Sequence, residues 1–274
     1  TLVNDLDDST AGYDSVASIS ANGGDGFVPI GNSSTQFSGT FNGSGYTISD
    51  PYIDRSSTNK IGLFGKINGS VKDTGVNKSN ITGDIVVGGL VGEMSSGGAI
   101  TDSYATGNVS GKATVGGLVG FNDGGTVNAS HSTVNVSGNG SDVGGVVGLN
   151  TGTVTESYAT GNVSGDTDQT FGQTRAGGLV GFNDGGTIKQ SYATGNLSGN
   201  KQLGALVGDN RGTVNTSYAT GNVPGRGFVG GLIGDNSGIV TNSYWDTETT
   251  EQSRSSGGTG LTTDQLKANN SLAG

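Results

Sequence analysis

Apolar positions recur along the chain at a nearly constant interval. The phrase V-G-G-L-V-G, a polar turn and then V-x-x-S-Y-A-T-G-N-V-S-G repeat with little change through most of the sequence. The leucine position of this phrase recurs every 26 to 28 residues, with one interval of 33, at Leu63, Leu90, Leu118, Val146, Leu179, Leu206 and Leu232. Self-similarity at a fixed period of this length is the signature of a repeat architecture.

Two further apolar columns follow the same period. One consists of Val127, Val154, Ile188, Val214 and Val240. The other consists of Val109, Val136, Val163, Leu197 and Val223. Each repeat therefore holds three short apolar segments bounded by Gly, Asn, Asp or Ser, and such segments are typical of strands. Within the repeats, no apolar period of 3.6 residues is long enough to predict a helix.

The pattern predicts an all-β fold, a parallel β-helix (β-solenoid) with about 27 residues and three short strands per coil. Successive coils would stack about 4.8 Å apart. A propeller blade needs about 40–50 residues, and leucine-rich repeats need several leucines each, so both alternatives fit this period less well. We expect glycine at corners that require a positive φ, and we expect the Gly-Gly before each leucine to mark a corner or a close approach of backbones.

The period also divides the chain. Residues 1–60 lack the repeat and are predicted to form an N-terminal cap and the first coils, whereas residues 61–247 hold the repeats. Residues 248–274 are predicted to form a C-terminal capping segment with a short helix. The longest interval contains an insertion at residues 166–175, which we expect on a loop because added loop length costs little.

Aromatic side chains near the two ends are predicted to cover the open core. Phe37 and Phe41 precede the first repeat, and Trp245 stands where other repeats have alanine. Every solenoid needs such caps. Beyond the last repeat, Thr262 followed three residues later by Gln265 is typical of a capping box at the start of a helix.

Composition and charge narrow the functional classes. Of 274 residues 55 are glycine, there is no cysteine, and the net charge is −10, from 13 Lys+Arg against 23 Asp+Glu. The excess of acidic residues argues against nucleic-acid binding, which needs basic patches. The sequence has no run of 18 apolar residues, so we expect no direct membrane span. An acidic, polar surface suits an extracellular protein, secreted or at the cell surface.

The repeat phrases resemble a known family. "GGLVGEMSSGG", "GGLVGFNDGG", "GGVVGLNTG" and "GGLIGDNSG" are similar to the GLUG motif. That motif repeats in large bacterial and archaeal surface proteins, including filamentous-haemagglutinin-like adhesins and regions that accompany IgA-cleaving metallopeptidases. The segments before and after the repeats are similar to those that commonly flank the motif. The resemblance implies a secreted, surface-displayed β-helical module and implies no reaction.

One column of the repeat is a candidate binding surface. Strand alternation predicts that Ser157 and Ala159 face inward while Tyr158 and Thr160 face outward. The candidate binding stripe consists of Tyr104, Tyr158, Tyr192, Tyr218 and Tyr244 with Thr106, Thr160, Thr194 and Thr220. Such a stripe suits a cell-surface glycan or a protein partner. Surface stabilisation without a partner is the competing interpretation.

Acidic residues near one corner are candidates for calcium. The polar turns of four repeats each have an aspartate beside or within them: Asp123, Asp184, Asp209 and Asp235. A row of such carboxylates could bind calcium. The competing interpretation, which we favour, is that they are turn residues. The adjacent residues Asn122, Asn150, Asn183, Asn210 and Asn236 predict a stacked amide ladder. No other cofactor is expected.

Catalytic signals are weak. The chain has one histidine, His131, so it cannot carry an H-E-x-x-H zinc site, and His131 occupies the tyrosine column as a substitute ring. We therefore predict a non-enzymatic extracellular module that acts as an adhesin or a rigid stalk. The alternative is a polysaccharide-active β-helix lyase or hydrolase, which would need three or more carboxylates beside an Arg or Lys on one face. Arg175, Arg211 and Arg226 lie near repeat boundaries. Ice binding by the threonine column is a lesser alternative, and the oligomeric state is left open.

Overall fold

The chain folds as a parallel β-solenoid whose coils each cross four sheets. A computed structural model describes residues 1–165, 174–225 and 227–269. Most of the insertion that we expected on a loop (residues 166–173) lies outside these described residues, and so does Arg226. We number the sheets I to IV in the order in which the chain meets them within a coil. Every strand pair within the sheets is parallel.

Sheets I and II are formed by the V-G-G-L-V-G phrase, which bends at its second glycine and its leucine, between the two valines. Sheet I contains Val86–Gly88, Thr114–Gly116, Asp142–Gly144, Arg175–Gly177, Gln202–Gly204 and Phe228–Gly230. Sheet II contains Phe64–Ile67, Val91–Ser95, Val119–Asp123, Val147–Asn150, Val180–Asn183, Val207–Asn210 and Ile233–Asn236. The seven strands of sheet II define seven stacked coils.

Sheets III and IV are formed by the rest of each repeat. Sheet III contains Thr40–Asn42, Ser70–Lys72, Ala99–Thr101, Thr126–Asn128, Thr153–Thr155, Thr187–Lys189, Thr213–Asn215 and Ile239–Thr241. Sheet IV contains Thr47–Ser49, Tyr52–Asp54, Gly75–Thr82, Tyr104–Gly111, His131–Ser132, Asn135–Gly138, Tyr158–Ala159, Val163–Ser164, Tyr192–Ala193, Leu197–Ser198, Tyr218–Ala219, Tyr244–Asp246 and Thr259–Leu261. The first strands of both sheets come from the N-terminal sixty residues.

Equivalent residues of successive repeats lie directly above one another. Val147 pairs with Val180 in sheet II, although the insertion lies between them, and Val154 pairs with Ile188 in sheet III. The sequence predicted three strands per coil, whereas the structure forms four sheets and usually divides sheet IV into two short strands. The extra strands were not predicted because the Tyr-Ala strands have only two residues and the sheet I strands only three.

Glycine is required at the Gly-Gly-Leu corner because two backbones approach closely there. A Cβ atom on Gly177 would overlap the carbonyl oxygen of Val180, and one on Gly178 would overlap that of Ala205. The expected positive φ occurs at glycine in the N-D-G-G turns, where φ is 80° at Gly124 and 77° at Gly185.

The corner between sheets III and IV differs from the expectation for glycine. It adopts φ values of 47° to 50° in successive coils at Asp73, Asp102, Ala129, Glu156, Gln190, Thr216 and Asn242. The expectation that glycine supplies positive φ is therefore wrong at this corner. The stacked sheets on both sides hold the corner residue in the left-handed region, which non-glycine residues adopt only at a cost.

The core is a thin column of aliphatic side chains with polar ladders beside it. Leu118, Val119 and Val127 are completely buried, as are most of their counterparts in the other coils, whereas Val240 in the last coil is half-buried. Buried serines form one ladder, in which Ser130 N donates to Ser157 Oγ and Ser157 N donates to Ser191 Oγ, each at 3.2 Å. These bonds connect neighbouring coils and pair backbone groups that would otherwise be buried without a partner.

Aromatic residues and short helices close the two ends. The rings of Phe37 and Phe41 each lie 5.3 Å from the ring of Phe64. Trp245 is only 6% exposed, and its Nε1 donates to the carbonyl oxygen of Gln252 at 2.9 Å. The helices are Asp14–Ala17, the 3-10 turn Ala21–Gly24 and Thr263–Lys267. None of these helices is long and apolar enough to cross a bilayer, over the part of the chain that the structure describes.

The C-terminal helix begins as the sequence predicted. Thr262 Oγ1 accepts from the backbone N–H of Gln265, and the side chain of Gln265 accepts from the backbone N–H of Thr262. This capping box satisfies two donors that the first turn of a helix leaves free.

Candidate functional site

The predicted tyrosine column is a continuous stack of parallel rings on the outer face of sheet IV. Its successive ring centroids lie 4.6 to 5.1 Å apart, and neighbouring planes are inclined by 11° or less, through Tyr104, His131, Tyr158, Tyr192 and Tyr218. Tyr244 continues the register above Tyr218. The rings stack because parallel pairing places identical residues about 4.8 Å apart.

The alternation predicted for this sheet is confirmed. Ser157 and Ala159 are buried inside, Tyr158 is half-buried at the surface, and Thr160 is exposed. His131 takes the place of a tyrosine in the stack, and partial burial lowers its pKa, so the neutral imidazole is favoured there. Burial likewise raises the pKa of Tyr192 and Tyr218, which keeps both phenols protonated as hydrogen-bond donors.

The threonines next to the rings are less uniform than the sequence predicted. Thr160 and Thr194 are exposed, whereas Thr106 and Thr220 are half-buried. The Thr106 hydroxyl is already engaged, because it donates to Asn77 Oδ1 and accepts from the N–H of Lys78, both at 2.8 Å. Only part of the threonine column therefore presents free hydroxyls, and nothing beyond that column favours ice binding.

A second outer column, of asparagine, was not predicted as part of the surface. Asn162 N donates to Asn135 Oδ1, and Asn196 N donates to Asn162 Oδ1 at 3.1 Å. Beside it runs a shallow groove of about 330 Å³, lined on its rim by the exposed asparagines and by Ser110, Ser137, Ser164 and Ser198. The outer face of sheet IV thus presents parallel columns of phenol, hydroxyl and amide groups.

The four predicted calcium ligands do not form one row. Asp123 ends its sheet II strand and Asp184 lies in the turn after sheet II; both are exposed, and each follows the asparagine of the predicted ladder. Asp209 and Asp235 lie within sheet II, in register with each other and with Phe182, one position before the asparagine. The hypothesis of a single row, which competed with the favoured interpretation as turn residues, is wrong because the "FNDGG" and "GDN" phrases place their aspartates at different positions relative to the asparagine. Among the described residues, no three His, Asp or Glu side chains are grouped to hold a metal ion.

The predicted asparagine ladder is confirmed inside the solenoid. Each Nδ2 donates to the Oδ1 of the next coil at 2.7 or 2.8 Å, in the order Asn122, Asn150, Asn183, Asn210 and Asn236. The amides also bond the backbone of the adjoining turn, as Asn122 does with Gly125. This ladder is structural, since its first four side chains are completely buried.

A charged seam that the sequence did not predict lies where the outer faces of sheets I and II meet. Its sheet I members are Asp142, Arg175 and Gln202, which are in register. Its sheet II members are Phe182, Asp209 and Asp235, and Arg211 follows in the next turn. Arg175 and Gln202 each contact the sheet II residue of the following coil, Asp209 and Asp235 respectively.

The seam holds buried ion pairs. Arg175 Nε lies 2.6 Å from Asp142 Oδ1, and Arg175 Nη1 lies 3.8 Å from Asp209 Oδ2. Arg211 Nη2 lies 3.4 Å from the same Asp209 oxygen. The Arg175 guanidinium also sits 3.9 Å from the centre of the Phe182 ring. One face of the Arg175 guanidinium therefore contacts an aromatic ring. Its charge is balanced by two carboxylates on the remaining sides.

Burial shifts the pKa of two carboxyl groups of the seam, those of Asp142 and Asp209. Burial raises the pKa of Asp142 to about 6, although Arg175 opposes the rise. Burial also raises the pKa of Asp209, and the two arginines partly offset that effect. Three aspartates and two arginines therefore converge on one face. This is the arrangement that the enzyme alternative required, but the side chains of Asp142 and Asp209 are each only 6% exposed.

A separate cleft lies between the stripe and the C-terminal helix. It has a volume of about 500 Å³ and is lined by Tyr218, Thr220, Asp246, Thr249, Thr263, Leu266, Lys267 and Asn269. Asp246 is satisfied within the protein, since its carboxylate accepts from Thr263 Oγ1 at 2.7 Å and from the N–H of Glu248 at 2.9 Å. Two predicted stripe residues, Tyr218 and Thr220, form one wall of this cleft.

Comparisons with known proteins agree with this architecture. The GLUG motif matches residues 139–164 and 172–198. Halomucin of Haloquadratum walsbyi is 41% identical over 130 residues, and a candidate Gly-rich membrane protein of Evansella cellulosilytica is 41% identical over 75 residues. These matches cover 42% and 26% of this chain but only 1% and 9% of the two relatives.

A solved structure shows the same fold. The crystal structure of a candidate immunoglobulin A1 protease from Bacteroides ovatus aligns with a TM-score of 0.62 over 85% of this chain and 71% of that one, at 21% identity. At this identity the match establishes the fold alone. The repeat phrases, the stacked coils and the motif matches agree, and they show that this chain contains repeats of the GLUG motif.

Proposed function

We propose that this chain is an extracellular module of a cell-surface protein, a stiff β-solenoid that acts as a stalk or adhesin. The observation that carries the proposal is the stack of parallel rings from Tyr104 to Tyr218, on a face with ordered columns of hydroxyls and amides. A surface of identical groups at a fixed spacing suits repeated weak contacts rather than one reaction. Weak contacts of this kind add through multivalency.

Stiffness comes from bonds that cross every coil boundary. Four sheets, the inner asparagine ladder and the buried serine ladder all run along the solenoid axis. To bend the rod, several of these ladders would have to open together. Such a rod would hold a binding face or a neighbouring domain at a fixed distance from the cell.

The stripe is suited to hydrogen bonding more than to ring stacking with a ligand. The ring faces of Tyr158 and Tyr192 are covered by their neighbours in the stack, so the edges and hydroxyls are what a partner meets. A glycan or a polar protein surface matches this chemistry, because both offer many donors and acceptors.

The names of the relatives support a location at the cell surface. Halomucin and a Gly-rich membrane protein are names that fit the outside of a cell. This chain spans only a small part of each relative, so anchoring and any catalytic domain of the whole protein are outside what these repeats explain.

A binding screen with matched variants tests adhesion. The chain would be applied to a glycan array and to intact cells, and compared with a variant that carries Tyr158→Ala and Tyr192→Ala. The control carries Thr155→Ala and Lys189→Ala, which alter the outer face of sheet III. We expect the tyrosine variant to lose most binding and the control to retain it. Binding that survives loss of the tyrosines would contradict the stripe as the adhesive surface.

A second candidate function rests on the charged seam. Asp142, Asp209 and Asp235 beside Arg175 are the kind of cluster that a polysaccharide lyase or hydrolase would use. We propose it only as the alternative, because the carboxylates of Asp142 and Asp209 are buried and bound to arginine. Incubation with acidic polysaccharides and calcium, followed by ultraviolet absorbance and a reducing-sugar assay, tests it. Product that disappears in Asp209→Asn would favour the enzyme over the stalk.

A further inference from the structure

One acceptor in the charged seam has no partner. Gln202 is only 8% exposed, and its Oε1 is buried without a hydrogen-bond partner among the described residues. A buried carbonyl oxygen left unpaired is costly, so such atoms in folded proteins point to a missing partner. The partner must be a hydrogen-bond donor.

The orientation of this amide is fixed by Asp235. Gln202 Nε2 donates to Asp235 Oδ2 at 3.0 Å. Turning the amide over would bring Oε1 against the carboxylate and lose this bond. The free oxygen therefore lies beside a carboxylate whose residue is half-buried, and two acceptors face the same part of the seam.

The groups around Gln202 indicate what kind of donor fits. Arg175 lies below it in register. Arg211, with its side chain 52% exposed, contacts Asp209, which pairs with Asp235 in sheet II. Three aspartates against two arginines leave the seam with an excess of negative charge, which disfavours an anionic ligand. Since no grouping that would hold a metal ion occurs among the described residues, a bare cation is also a poor match.

An exposed aromatic ring completes the site. Phe228 lies directly above Gln202 in sheet I and is 63% exposed. A large apolar side chain so exposed, beside polar groups aimed at one place, is typical of sugar binding. The ring packs against the C–H face of a sugar while acceptors and guanidinium bond its hydroxyls.

We propose that Gln202, Asp235, Arg211 and Phe228 form a binding subsite for a neutral sugar residue. One sugar hydroxyl donates to Gln202 Oε1 and another donates to Asp235, while Arg211 donates to a ring or hydroxyl oxygen. This site lies on a different face from the tyrosine stripe and goes beyond the proposed adhesive function. It makes the C-terminal coils a specific recognition point on an otherwise repetitive rod.

Titration by NMR tests the proposal. The full chain, labelled with nitrogen-15, is titrated with cellotriose, maltotriose, mannotriose and chitotriose, and with trigalacturonic acid as the acidic counterpart. We expect at least one neutral trisaccharide to shift the side-chain amide signals of Gln202 and the backbone signal of Phe228. Trigalacturonic acid is expected to bind more weakly. If no neutral trisaccharide shifts these signals, or if only the acidic one does, the proposal is wrong.

Variants separate recognition from folding. Phe228→Ala removes a side chain that is mostly in solvent, so the fold should survive, and we expect the Kd for the bound trisaccharide to rise about tenfold or more. Gln202→Ala is expected to weaken binding to a similar degree. The matched control is Ile239→Ala, because Ile239 is 61% exposed in the same coil on sheet III. Equal affinity in all three variants would overturn the site while leaving the stripe proposal untouched.

Discussion

The side chain of Asn150 donates to Asn183 Oδ1 at 2.8 Å, although 33 residues separate the two along the chain. The other amide pairs of the same ladder are 26 to 28 residues apart and have almost the same bond length, 2.7 Å. The insertion in the long repeat therefore leaves the stacking of the coils unchanged. Register in this protein is set by the contacts between coils and not by the number of residues in each.

Breaking the ladder in the middle should be costly. Asn150→Ala removes both amide contacts of that residue and leaves Asn122 Nδ2 and Asn183 Oδ1 short of a buried partner. We expect a loss of about 2–4 kcal/mol in the free energy of unfolding, the sum of a missing bond and unsatisfied neighbours. Urea denaturation measures it. The control, Asn108→Ala on the exposed face, should change the same quantity by less than about 0.5 kcal/mol. Equal effects would contradict a structural role for the ladder.

Two glycines should respond differently to alanine. Gly185 has a φ of +77° with no atom within 4 Å of an added Cβ, so Gly185→Ala should cost about 1–2 kcal/mol from backbone strain alone. Gly177→Ala would drive a methyl group into the Val180 carbonyl oxygen, so the loss should exceed about 3 kcal/mol or prevent folding. Thermal unfolding of the two variants checks the order. Greater damage from the Gly185 substitution would show that positive φ, and not close approach, is the stronger constraint.

His131 should make the ring stack sensitive to acid. Burial lowers the pKa of His131 in the folded state. In the unfolded chain the pKa of histidine is about 6.5, so below that pH the unfolded chain binds the proton more readily than the folded one. The free energy of unfolding should therefore fall as pH drops through that value. In His131→Tyr, which restores the residue of the column, this part of the loss should be absent. Urea titrations of both proteins from pH 8 to pH 5 measure the difference. A gap that does not widen toward low pH would contradict the buried, neutral imidazole.

Removal of Arg175 should matter more at high pH. The pKa of Asp142 is about 6 in the folded state against an ordinary value of 3.8, so its carboxylate is charged and buried only above about pH 6. In Arg175→Met, the charged Asp142 and Asp209 lose their shared cation, and we expect a destabilisation of about 3–5 kcal/mol at pH 8. At pH 5 a larger fraction of both carboxyl groups is protonated and uncharged, so they interact less with the cation. The destabilisation caused by Arg175→Met should therefore be smaller at pH 5 than at pH 8. Unfolding measured at both pH values checks this, and a loss that grows toward pH 5 would contradict it.

Lys189→Met is the control for that experiment. Lys189 is exposed on sheet III, so its replacement removes a positive charge without uncovering a buried carboxylate. We expect its effect on the free energy of unfolding to stay within about 0.5 kcal/mol at both pH values.

Much of the fold could be predicted because its signal is repeated. The inward Ser157 and Ala159, the outward Tyr158 and the asparagine ladder all follow from strand alternation combined with a fixed period. Strand alternation and the fixed period did not predict the relative positions of the aspartates. Asp123 and Asp209 look equivalent as turn residues, but Asp209 precedes the ladder asparagine and Asp123 follows it, so two positions separate them in the register.

The charged seam could not be predicted because it has no period. Asp142 occupies the column that holds Thr114 in one neighbouring coil and Arg175 in the other. The contact between Arg175 and Asp209 joins sheet I of one coil to sheet II of the next, across a corner whose angle no sequence pattern specifies. Arg175 and Asp209 stand out only when both sheets are seen together.

Distances between spin labels on sheet III test the stacking of the coils most directly. One label would be attached to a cysteine replacing Lys72, in the second strand of that sheet. In separate samples the other label would replace Lys189, Asn215 or Thr241, at the same position in the sixth, seventh and eighth strands. Stacked coils predict backbone separations of about 19, 24 and 29 Å, rising by about 4.8 Å for each strand, including across the insertion. Distances that level off or fall from one label pair to the next would mean that the repeats are arranged around a ring and would contradict the solenoid.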